Sequence, residues 1–191
     1  MKRLAKASAK EILSWLKDDI WPLERDVVER PQRLAYVRKL IKPKGCVFCA
    51  CSKAKNRKEN LVLYKSKKFM VILNKYPYNN GHLLIMPRRH VGELWKLSDD
   101  DVANMQILLK HSVKILKKVY SPMGFNVGLN LGQVAGAGIP DHLHYHVIPR
   151  WGGDTNFFPL IAQTKLVIET VEQSFAKLEK HFLKLEKDLG L

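Results

Sequence analysis

The stretch on which the reading turns is His142-Leu143-His144-Tyr145-His146-Val147-Ile148. Side chains two residues apart on a strand stand on one face. The spacing therefore predicts a strand over residues 142–149, with three imidazoles in line and Leu143, Tyr145 and Val147 opposite. Imidazole is a nucleophile at phosphorus, a proton donor or acceptor near neutral pH, and a metal ligand. A packed core has little use for three such rings in a row, whereas phosphoryl or nucleotidyl transfer uses all three properties.

Working outward, residues 61–64 and 69–73 read as strands joined by a turn at 65–68. Residues 74–81 are dense in turn formers, and 82–86 read as a third strand stopped by Pro87. Ser98, followed by Asp99, Asp100 and Asp101, marks a helix start, since an N-cap hydroxyl and acids on the first turn both satisfy the helix dipole. That helix should run to about Tyr120 with Met105, Leu108, Leu109, Val113 and Leu116 inward. Strands are expected over 125–131 and 142–149, separated by a glycine-rich loop at 132–140. A long charged helix is expected over 164–189, with Leu166, Ile168, Val171, Phe175, Leu178, Phe182 and Leu185 as its apolar side. Helical spacing at 8–19 and 27–41, broken by Pro22 and Pro31, predicts an N-terminal arm ending near 43–45, and residues 52–60 read as a loop. Strands without regular helix alternation imply an α+β fold: a five-stranded antiparallel sheet with one main helix after the third strand.

The chain has 191 residues, 46% of them apolar, enough for one domain with a real core. No apolar run reaches the roughly 20 residues that span a bilayer, and Lys10 and Glu11 interrupt the basic opening before any signal-peptide core can form. The expectation is a soluble, cytoplasmic protein with no membrane partner. Of the net charge of +15, residues 1–68 carry +12, from 19 basic and 7 acidic residues. That asymmetry suits an anionic partner or serves solubility, and the basic residues lack the interleaved aromatics of a single-strand binding surface. Cys46, Cys49 and Cys51 lie within six residues, too close for a disulfide framework. Cys46-x-x-Cys49 reads as a metal half-site or a redox pair.

The histidine string matches the signature of the histidine-triad (HIT) nucleotide hydrolases and transferases. Asn74, Gly81-His82, the turn at 87–90, Asn130 and the glycine-rich loop follow in the order that family has them. The resemblance covers roughly residues 34–165. The flanks at 76–82 and 150–156 look most like the diadenosine tetraphosphate phosphorylase branch. The resemblance implies a HIT-like domain over 45–165, preceded by a helical arm (1–44) and followed by a C-terminal helix (166–191) packed on the same domain. The two extensions would help bury a homodimer interface.

On this resemblance His144 is the nucleophile at the α-phosphorus and His146 the hydrogen-bond donor to phosphate oxygens or the departing group. Asn74 would contact the ribose, His82 would join the triad network, and Asn130 with Gly136, Gly138 and Ile139 would surround phosphate. Asp154, Thr155 and Asn156 would meet the distal or acceptor phosphate, with Lys75, Arg88 and Arg150 supplying positive charge. Cys46, Cys49, His90 and His142 would hold a structural zinc. A divalent cation accompanying the polyphosphate is compatible with the same picture. The chain departs from many relatives in placing Ile139 and Pro140 where a small hydroxyl residue is common, which leaves the departing group to His146. The uridylyltransferase branch has glutamine where this chain has His146, which argues against a sugar-phosphate acceptor. The expected reaction is phosphorolysis of diadenosine tetraphosphate to ADP and ATP, with inorganic phosphate as acceptor. The alternatives are a dinucleoside polyphosphate hydrolase, a nucleotide phosphoramidase, and a nucleotide-sensing or nucleic-acid-binding module.

Overall fold

The computed structural model describes residues 45–154 and 168–189. The expected N-terminal arm, and Thr155 and Asn156, lie outside these residues. A seven-residue helix, α1 (Val47–Lys53), precedes β1 (Val62–Lys65), β2 (Phe69–Leu73) and β3 (Leu83–Pro87). A 22-residue helix α2 (Asp99–Tyr120) leads to β4 (Gly124–Leu129) and β5 (Tyr145–Arg150), and α3 (Val171–Leu189) closes the described chain. All strand pairs are antiparallel, in the order β1-β2-β3-β5-β4. The α+β expectation and its five-stranded sheet therefore hold.

β2 (FMVIL) and β3 (LLIMP) are buried along their whole length, because each face of the sheet is covered. Phe69, Val71, Leu73, Leu83 and Ile85 pack beneath α2 and α3, against Met105, Leu108, Leu116, Phe175, Leu178 and Phe182. Met70, Ile72, Leu84 and Met86 point the other way and meet Phe48 of α1, with Cys46, Cys51 and Ile139 at the margin. A continuous apolar run is what a two-sided strand requires.

The start of α2 is as expected: Ser98 Oγ accepts the Asp101 N–H at 3.2 Å. Three boundaries differ by more than two residues. α1 occupies part of what reads as loop and linker; its single apolar turn is too short to show periodicity. α3 begins at Val171 rather than 164, and Ile168 is 89% exposed. Thr170 and Gln173 stop the helix there by bonding reciprocally: Gln173 N–H donates to Thr170 Oγ1 (3.2 Å) and Thr170 N–H to Gln173 Oε1 (2.8 Å). β5 begins at Tyr145, so His142 and His144 precede the strand. There the backbone leaves the sheet, and Leu143 N–H donates to the carbonyl of Val91 at 2.7 Å. The alternation survives: Leu143 and Val147 belong to the core beneath the helices, while His146 lies opposite Leu84 on the α1 side.

Candidate active site and metal centre

The three histidines share a face but not a chemical state, and their partners show why. A carbonyl oxygen can only accept, so the ring nitrogen facing it must carry the proton. His142 Nε2 donates to the carbonyl of Pro87 at 2.9 Å. This leaves Nδ1 as a lone pair, 3.3 Å from Cys46 Sγ and 3.6 Å from Cys49 Sγ. His144 is reversed: Nδ1 donates to the carbonyl of His142 at 2.8 Å, leaving Nε2 bare.

His146 is set by a relay. Tyr76 N–H donates to Asn74 Oδ1 (2.9 Å), so the Asn74 amide nitrogen faces His82 Nδ1 (3.3 Å). Tyr78 N–H donates to the same His82 nitrogen at 3.1 Å. Two donors fix Nδ1 of His82 as acceptor and Nε2 as the protonated nitrogen. That Nε2–H donates to His146 Nδ1 at 2.9 Å, so His146 carries its own proton on Nε2. The result is a bare nitrogen on His144 beside an N–H on His146, with ring centroids 5.0 Å apart.

Burial keeps the rings neutral. It lowers the pKa of His142 and His144 despite their bonds to carbonyls. His146 is pushed down to about 4, by burial first and then by the neighbouring His144. Phe48 packs edge-on against His142 and His144, at 5.4 and 4.9 Å between centroids. Tyr78 stacks on His82 at 5.0 Å. Sequence reasoning missed Phe48, because α1 gives no legible signal, and it passed over Tyr78 as one turn residue among several.

Cys46, Cys49, His90 and His142 come together from α1, the end of β3 and the approach to β5, with ligand atoms all within 4.8 Å of one another. Tetrahedral zinc with Zn–S and Zn–N bonds of ordinary length puts sulfur and nitrogen about 3.6 Å apart. The observed S···N separations are 3.3 and 3.6 Å to His142 and 3.4 Å from Cys49 to His90. The Pro87 carbonyl supplies the outer bond that orients a ligating histidine. Donor set, spacing and lone-pair direction all fit a closed metal site. Cys51 lies outside it, on the same helix.

Elsewhere several residues are engaged within the chain. Arg88 bonds Ser52 Oγ and the carbonyl of Ser66. Arg150 bonds Asp154 and Asn126 Oδ1. These guanidiniums are held by groups of their own chain. Asp154 Oδ2 accepts from Asn79 Nδ2, Arg150 Nε and Trp151 N–H. Asn130 Nδ2 donates to the carbonyl of Gly136 at 3.4 Å. The Gly136 N–H is already used on Gln133, and Ile139 packs against the apolar cluster around Phe48. Gly138 sits in the same loop. Asn74, placed by the resemblance at the ribose, has its amide on His82.

The profile of the HIT domain matches residues 55–153, just over half of the chain. The chain belongs to the HIT family. It is 46% identical over 109 residues to a protein of Mycobacterium tuberculosis named AP-4-A phosphorylase, covering 57% of this chain and 56% of that one. The chain thus spans little more than half of that relative. It is 28% identical over 122 residues to the asymmetrical bis(5'-nucleosyl)-tetraphosphatase of Schizosaccharomyces pombe, covering 64% and 63%. Among solved structures, a zinc-bound histidine triad family protein from Mycobacterium smegmatis superposes with a TM-score of 0.59 at 26% identity. That match covers 75% of this chain and 97% of the other.

Proposed function

We propose that this HIT protein transfers a nucleotidyl group through His144 and, with inorganic phosphate as acceptor, converts diadenosine tetraphosphate to ADP and ATP. The observation that carries this reading is the pair of opposite tautomers, a bare Nε2 on His144 next to an Nε2–H on His146. The His144 lone pair attacks the α-phosphorus, the bond to the bridging oxygen breaks, and ATP departs with a hydrogen bond from His146. The ring then bears a nucleotidyl group and a positive charge, which the Nδ1–H bond to the His142 carbonyl stabilises. Phosphate attacks the same phosphorus from the opposite side, ADP forms, and His144 recovers its lone pair. On the family resemblance, Asn130 and the loop with Gly138 would contact this phosphate. The 46% identical phosphorylase supports phosphate as the acceptor.

In the same proposal Cys46, Cys49, His90 and His142 hold a structural zinc, consistent with the zinc-bound M. smegmatis neighbour. His142 then serves as a ligand and takes no part in proton transfer.

The test is incubation with diadenosine tetraphosphate with and without inorganic phosphate. Phosphate-dependent release of ADP and ATP, lost in His144→Ala, is the expected result. Phosphate-independent release of AMP and ATP would transfer the protein to the hydrolase reading.

A further inference from the structure

Asn79 is a buried polar residue, 5% accessible, in a turn that is mostly half-buried, and both of its amide protons are used. One goes to the carbonyl of Pro149 (2.8 Å) and the other to Asp154 Oδ2 (2.9 Å). Pro149 lies on β5, three residues beyond His146. The Asn79 carbonyl accepts the backbone N–H of His82 at 3.2 Å. Asn79 therefore ties the strand carrying His146 to the turn carrying His82. Asp154 fixes Asn79 in turn, and Arg150 anchors Asp154 to Asn126 of β4.

The geometry points to Asn79 and Asp154 as positioning residues that clamp the 74–82 turn onto β5, so that Tyr78 holds His82, and through it His146, in the form that donates from Nε2. The inference rests on the proposed role of His146. Its chemical sense lies in the relay. Should the turn lift, Tyr78 N–H leaves His82 Nδ1, only the longer Asn74 amide contact (3.3 Å) still holds that nitrogen as an acceptor, and a share of His82 takes its proton there. In that share His82 Nε2 becomes an acceptor, His146 must donate to it from Nδ1, and the bare Nε2 of His146 repels the phosphate oxygens it should bind. Asp154 acts through Asn79; its Oδ2, already shared by three donors of the chain, has no attraction for a polyanion.

Nitrogen-15 NMR of histidine-labelled full-length chain reads the tautomers directly, without substrate. In the parent protein both His82 and His146 should carry the proton on Nε2. Asp154→Ala should mix the tautomers and lower kcat on diadenosine tetraphosphate about tenfold with KM unchanged, in the range of losses seen for outer-layer partners. Asp154→Asn keeps an accepting oxygen for Asn79 and should restore most of both. Should Asp154→Ala not fold, Asn79→Asp, which cannot donate to Pro149, carries the same expectation. Unchanged tautomers in the variant, or a raised KM with kcat intact, would overturn the inference, the latter in favour of direct substrate contact. Absence of phosphorolysis in the parent protein would sink the proposed reaction and leave the tautomer result to stand separately.

Discussion

His146 titrates far from an ordinary histidine, near 4 rather than 6.5, because burial and the adjacent His144 both penalise its charged form. At neutral pH the ring is thus uncharged and still a donor, since the relay from Tyr78 through His82 leaves the proton on Nε2. The same shift has a thermodynamic consequence. Between pH 6.5 and 4 the unfolded chain binds this proton and the folded chain does not, so acid favours unfolding there. The contribution is fully present above pH 6.5 and is lost as pH falls toward 4. Urea midpoints measured from pH 7 to pH 4 should fall more steeply for the parent protein than for His146→Gln. Equal slopes would show that this ring does not carry the effect.

At the scale of elements, the boundaries that differ from periodicity are those set by hydrogen bonds. Apolar spacing carries α3 back through Ile168 and Leu166, yet the helix begins where Thr170 and Gln173 satisfy each other's backbone N–H. Thr170→Ala removes an N-cap and should cost about 1 kcal/mol, read as a lowered urea midpoint with an unchanged m-value. A cost near zero would mean that packing of Phe175 and Phe182 alone holds the helix start. The other end of α3 is tied down differently. Glu186 accepts from Arg57 at 2.7 Å and from the Lys65 N–H at 2.9 Å, covering the edge of β1 with a carboxylate rather than a strand. α2, by contrast, was legible at its start because Ser98 and three aspartates announce an N-terminus locally.

In the whole molecule, the candidate metal site draws on residues up to 96 positions apart, and a bound ion would fasten α1 to the side of the sheet on which His146 lies. Purified protein should contain about one zinc per chain. Stripping it should lower the melting temperature by several degrees and loosen Phe48 from the imidazoles, detectable as faster amide exchange in α1. Full retention of melting temperature and exchange protection after verified metal loss would remove the clamp from the account. No helix among the described residues is long and apolar enough to cross a membrane.

The family, the strand alternation, the main helix and the identity of the four candidate ligands were all legible in the chain. Period-two and helical spacing are local, and the family's order of residues survives in one dimension. Which nitrogen of each histidine is bare was not legible. That depends on the carbonyls of Pro87 and His142 and on the N–H of Tyr78, the first 55 residues from its ring and the last reaching His146 only through His82, 64 residues away. Nor could the sequence show that Arg88, Arg150 and Asp154 bond to neighbours of their own chain. A charge in a sequence carries no direction, and only the packed structure decides whether it meets a substrate or a partner within the fold.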